Sequence, residues 1–170
     1  MLIMNNIREP QKVIINYDTY IPIDIKFGVW DLEQELTQYW RTGDFQHSLI
    51  EIGFGEHQKE LRSVTLIMCN HVSQPQTAFA QSGIIMRGCP IVTLENPYPD
   101  MYINEKGFLS VQLFENSLSI LFDTIQPNSI IKNNEVEFLL NNENKCMGLR
   151  VQNIDTYNMN ILRDALRSQN

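Results

Sequence analysis

Residues 109–123, LSVQLFENSLSILFD, and residues 135–151, EVEFLLNNENKCMGLRV, decide how the chain is read. Each sets two alternating apolar runs around a short polar turn, the pattern of a half-buried antiparallel hairpin. A two-residue turn at Asn116-Ser117 places Val111 opposite Phe122 and Leu113 opposite Ile120, all on one face. In the second hairpin a four-residue loop, NNEN, sets Phe138 opposite Met147 and Val136 opposite Leu149. The same register brings Glu135 to Arg150 on the other face, an exposed pair worth ~0.2–1 kcal/mol.

Outward from these hairpins, IDTYNMNILRDALRS closes the chain as a helix over 156–168. Asp155 or Thr156 caps it, and Tyr157, Ile161, Leu162, Ala165 and Leu166 form its apolar stripe. Toward the start, 12–27 reads as one bent edge strand or two short strands around Pro22. In WDLEQELTQYWR, Asp31 sits at a cap, Gln34 follows three residues on, and Leu32, Leu36 and Tyr39 or Trp40 recur at helical spacing. This predicts a helix over 31–41, ended by Thr42-Gly43, with Glu33 and Glu35 in its first turns. Residues 47–54 and 60–72 read as strands turned by GEHQK, and 83–94 as a strand broken near Gly88 and Pro90.

These elements predict an α+β fold: a mainly antiparallel sheet of about six to eight strands with one helix near each terminus. With 170 residues, no linker and no repeat, the expectation is a single domain over 1–170. No segment approaches the roughly 18 uncharged apolar residues of a membrane-spanning helix. The opening has no basic start or cleavage site, so no signal peptide is expected. Three cysteines without paired spacing give no disulfide framework, which places the protein in the reducing cytoplasm.

The formal net charge is −7, which disfavours direct contact with nucleic acid. The charge is uneven: residues 31–60 hold seven acids against two bases, a net of −5, whereas 61–170 hold ten acids and eight bases, a net of −2. Such a surface serves either solubility or the docking of a basic partner.

No phosphate-binding glycine loop and no nucleophile elbow occurs. Cys69 and His71, two apart on a predicted strand, would face the same way, as a nucleophile beside a base or as half of a metal site. Core or surface filling is the simpler account, since no paired Cys or His motif supplies further ligands. His47 and His57 are isolated, and the group Trp30, Tyr39, Trp40 and Phe45 reads as core. No catalytic residue, cofactor or metal is expected. Asn96-Pro97-Tyr98-Pro99-Asp100 is a stiff turn presenting an aromatic, an interface anchor or an ordinary loop.

The size, the acidity, the lack of a catalytic motif and the hairpin VEFLLNNENKCMGLRVQNI together resemble the small bacterial immunity proteins encoded beside contact-dependent growth-inhibition and other polymorphic toxins. The resemblance implies a cytoplasmic inhibitor that is not an enzyme and that blocks a cognate toxin domain, often a basic nuclease. Partner-binding residues are expected at Asp31, Glu33, Glu35, Asp44, Glu56, Tyr98 and Asp100. Two other classes stay open: a small-molecule-binding protein or small enzyme with a pocket in a curved sheet, and an adaptor or structural subunit that pairs through a strand edge.

Overall fold

A computed structural model of the chain describes residues 1–28, 35–76, 83–95, 100–124 and 126–168. Among these, fifteen strands precede one helix: β1 (Leu2–Arg8), β2 (Val13–Asn16), β3 (Ile23–Phe27), β4 (Thr37–Gly43), β5 (Ser48–Gly55), β6 (Leu61–Cys69), β7 (Val72–Ser73), β8 (Ile84–Arg87), β9 (Cys89–Leu94), β10 (Tyr102–Lys106), β11 (Ser110–Leu113), β12 (Leu118–Leu121), β13 (Ser129–Asn133), β14 (Val136–Leu140), β15 (Cys146–Val151) and α1 (Thr156–Ser168).

The strands form a six-stranded sheet, β10-β4-β5-β6-β3-β2, a seven-stranded sheet, β7-β11-β12-β15-β14-β13-β8, and a ribbon of β1 and β9. Pairing is antiparallel except at β10–β4, β11–β7 and β13–β8. The two large sheets share one core and so form a sandwich. Phe27 of one meets Phe138 of the other at 6.0 Å between ring centroids, and Trp40 meets Phe122 edge-on at 5.4 Å.

The ribbon closes one end of the sandwich. The Met4 amide donates to the Asn144 carbonyl in the β14–β15 loop, and the Val92 amide to the Lys59 carbonyl in the β5–β6 loop, at 2.9 and 2.8 Å. Leu2, Met4 and Val92 are thereby buried in the shared core. Helix α1 occupies its expected span, and the Asp155 carboxylate accepts the Asn158 amide at 2.9 Å. Met159, Leu162, Ala165 and Leu166 are its buried residues, while Tyr157 faces outward.

The expected α+β fold of about six to eight strands with two helices is therefore corrected to a β-sandwich with a single C-terminal helix among the described residues. The helix expected over 31–41 does not form where the chain is described: residues 37–43 are β4, and 31–34 lie outside the described residues. The physical reason is a period of two hidden under an apparent period near four. Gln38, Trp40 and Thr42 are buried while Tyr39 and Arg41 point outward, and Thr, Tyr and Trp suit a pleated surface.

Both signature hairpins form, each slipped by two residues from the expected register. Val111 pairs with Ile120 and Leu113 with Leu118 around a four-residue loop in which the Phe114 amide meets the Ser117 carbonyl. Phe138 pairs with Leu149, Val136 with Val151, and Glu137 instead of Glu135 with Arg150. The Glu137–Arg150 pair, 3.5 Å apart, is buried and not exposed; Lys132 lies 3.0 Å from the same carboxylate.

Candidate functional site

Alternation along β4, β5, β6, β3 and β10 sends one set of side chains to the core and the other to the outer face of the six-stranded sheet. Tyr39 lies between Tyr102 and Gly53, and Arg41 between Asn104 and Glu51. The Tyr39 and Tyr102 rings stack at 5.5 Å with 24° between their planes. The Arg41 guanidinium lies 3.8 Å over the Tyr102 ring and donates from Nε to the Glu51 carboxylate. A Cβ at Gly53 would stand 2.5 Å from Ser63 Oγ and 3.1 Å from Tyr39 Cε1, so only glycine lets that ring settle against the sheet.

Beside this platform Thr65 Oγ1 donates to Asp24 at 2.8 Å, and Lys26 Nζ stands 3.9 Å from the same carboxylate. Together with Tyr39, Tyr102 and Glu51 these residues line an open depression of ≈ 390 Å³. The surface offers two aromatic rings, paired charges and hydroxyls on a rigid sheet, and Tyr102 is 45% exposed.

A second depression of ≈ 410 Å³ lies along β10, lined by Met1, Leu94, Glu95, Asp100, Asn104 and Glu105 among others. Here the Glu105 carboxylate accepts the Trp40 indole N–H at 2.7 Å and meets the Met1 ammonium at 2.5 Å. Burial pushes the Glu105 carboxyl up, but these two donors outweigh it and hold its pKa below the ordinary value.

Four of the residues expected to bind a partner, Glu35, Asp44, Glu56 and Asp100, lie among the described residues. Asp31, Glu33 and Tyr98 lie outside the described residues. Glu35 and Asp44 flank opposite ends of β4, and each carboxylate organises a loop. Glu35 accepts the amides of His57 and Gln58 at 2.8 and 3.0 Å and stands 3.8 Å from Arg62. A Cβ at Gly55 would be 2.0 Å from the Glu35 carboxylate, so the turn is built around it. Burial raises the Glu35 pKa, the two amides and Arg62 lower it more, and it lies below the ordinary 4.5.

Asp44 accepts the amides of His47, Gln46 and Ser48 at 2.7–2.9 Å, and these bonds, that of His47 foremost, hold its carboxyl far below the usual range. Glu56 lies 3.9 Å from His57 in the turn that Glu35 organises. Asp100 is exposed at the second depression, where its carbonyl accepts from Gln38 Nε2 at 3.3 Å.

The local charge of −5 is broken up in the fold. Glu35 faces Arg62 and Glu60 faces Arg8, both bases from outside the 31–60 segment, while Glu51 faces Arg41. Sequence reading missed Tyr39, Arg41 and Tyr102. The signal that finds them is the outward alternation of Tyr39 and Arg41, obscured by the helical reading of 31–41.

Cys69 and His71 do not act together. The strand ends at Cys69, whose buried Sγ donates to the carbonyls of His71 and Leu109 at 3.6 and 3.8 Å, while the His71 side chain is in solvent. Burial pushes up all three thiols, Cys89 and Cys146 to about 12. Among the described residues no three His, Cys, Asp or Glu side chains group as metal ligands, and no helix is long and apolar enough to cross a membrane. No protein-family model matches the chain, and no curated protein matches it.

Proposed function

We propose that this chain is a binding protein that captures and neutralises a cognate toxin domain, acting without catalysis in the bacterial cytoplasm. The observation that carries the reading is the Tyr39–Tyr102–Arg41 stack on the outer face of the six-stranded sheet. Tyrosine and arginine are enriched among the residues that carry binding energy at protein interfaces, both bury large areas and carry polar tips, and tyrosine loses few rotamers. Here both rings and the guanidinium are held in place before any partner arrives, which lowers the entropy cost of association. On the platform Asp24 and Glu51 are offset by Lys26 and Arg41, and it is the net charge of −7 on the whole chain that favours a basic partner such as a nuclease domain. The three free, buried thiols suit a reducing compartment.

Titration of the purified chain with the toxin domain encoded beside its gene tests this. One-to-one binding is expected, with association slowing as salt rises and with Tyr102→Ala weakening it by roughly tenfold or more. No binding at micromolar concentration sinks the reading. A second reading, a small polar ligand in the same face, is favoured by the ≈ 390 Å³ of the depression, within the size range of ligand sites. Ligand binding lost in Tyr102→Ala, with no toxin binding, selects it.

A further inference from the structure

Among the described residues β10 has a strand on one side only, β4. The Tyr39 amide donates to the Met101 carbonyl at 2.8 Å, and the Gly107 amide donates to the Gly43 carbonyl at 3.1 Å. In the parallel register that joins Tyr102 to Tyr39 and Lys106 to Gly43, these two bonds fix which backbone groups face inward. Residues 103 and 105 are turned toward β4. The amides and carbonyls of Tyr102, Asn104 and Lys106 therefore point away from β4.

We propose that this edge pairs antiparallel with the same edge of a second copy of the chain, centred on Asn104. The register is self-complementary. Asn104 meets Asn104 of the second copy, and Tyr102 meets its Lys106, so every outward amide finds an outward carbonyl. Charge agrees with geometry. Lys106 lies opposite a tyrosine ring, and the exposed Asp100 falls on the diagonal from Lys106 of the second copy. The diagonal approach of the two Glu105 residues involves carboxylates already held by Trp40 and the Met1 ammonium. Met101 and Phe108, 51% and 45% exposed, flank the seam. The joined sheets have twelve strands, and their outer faces place two Tyr39–Arg41–Tyr102 platforms side by side.

Velocity sedimentation over a concentration series, with no partner added, reads this pairing. The unaltered chain is expected to dimerise reversibly. Asn104→Pro deletes one outward amide and none of the bonds to β4, and is expected to weaken the dimer roughly tenfold or more. Asn104→Cys supplies a second, register-specific measure. In an antiparallel pair of this type the opposed Cα atoms stand ~5.5 Å apart, within disulfide reach. Mild oxidation is expected to link Asn104→Cys into dimers faster than Tyr20→Cys, at a site 86% exposed but far from the seam in sequence. A chain that stays monomeric at every concentration overturns the proposal. So does a dimer in which residue 104 links no faster than residue 20. Neither result bears on capture of a toxin domain, which is measured with the partner present.

Discussion

The facing of the two large sheets is tested by a double-mutant cycle at Phe27 and Phe138. Both rings are at most 2% exposed, one in β3 and the other in β14. Truncating either to Ala removes a buried aromatic and leaves a cavity, a loss of ~3–5 kcal/mol. For a domain of this size each kcal/mol lowers Tm by ~2–4 °C, so each single variant is expected to melt roughly 6–20 °C lower. The rings meet at 6.0 Å with 44° between planes, inside the range where aromatic pairs gain ~0.5–1.5 kcal/mol beyond the area they bury. The double variant should therefore lose less than the two single losses combined, by about that amount. Urea unfolding followed by circular dichroism gives the free energies, with a constant m-value as the check on two-state behaviour. Tyr20→Ala, at a side chain 86% exposed, is the control and should change stability by under ~0.5 kcal/mol. Losses that add within ~0.3 kcal/mol would mean the rings do not touch, and the sandwich as described would fail.

Glu35 gives a pH signature. Because its folded pKa is lowered, it contributes stability that is fully present above its ordinary value of 4.5 and is lost as pH falls through the folded pKa. The gap in stability between the unaltered chain and Glu35→Gln should be widest above pH 4.5 and close on acidification; a gap constant with pH refutes the capping role. The three thiols should resist a disulfide reagent in the folded chain at neutral pH and all react once it is unfolded in guanidinium. Rapid reaction of any one of them in the folded chain would contradict its burial.

The hairpins show what the sequence could and could not specify. The sequence placed Val111, Leu113, Val136 and Phe138 on core-facing positions, and they are there. Both registers nevertheless slipped by two residues. A slip of one would exchange the two faces of β11, where burial alternates, so patterning resists it there. A slip of two keeps each residue on its face, and only the turn decides between the two registers. In the first hairpin the loop takes in Phe114 and Glu115 as well as Asn116 and Ser117, and in the second a bulge between Leu139 and Leu140 adds to the shift. At 31–41 the failure was different: Leu36, Tyr39 and Trp40 satisfy a helical spacing by accident, and the β-branched and aromatic residues of 37–42 outweigh it. Leu36 is in fact 68% exposed. That one misreading also hid the candidate site, since its platform stands on β4. Helix α1 was legible because its cap, its apolar stripe and its position after the last strand all agree. The loop-organising roles of Glu35 and Asp44 were not legible because a carboxylate near a tight turn accepts backbone amides whose positions only the fold sets.

The ribbon of β1 and β9 sets an order on how the molecule assembles. Residues 2–8 are synthesised well before their partners, since they pair with 89–94 and bridge to Lys145. They must wait, unpaired, until most of the chain exists. The local hairpins β5–β6, β11–β12 and β13–β14 need no such delay. A topology so rich in distant pairings is expected to fold in roughly milliseconds to seconds, not microseconds.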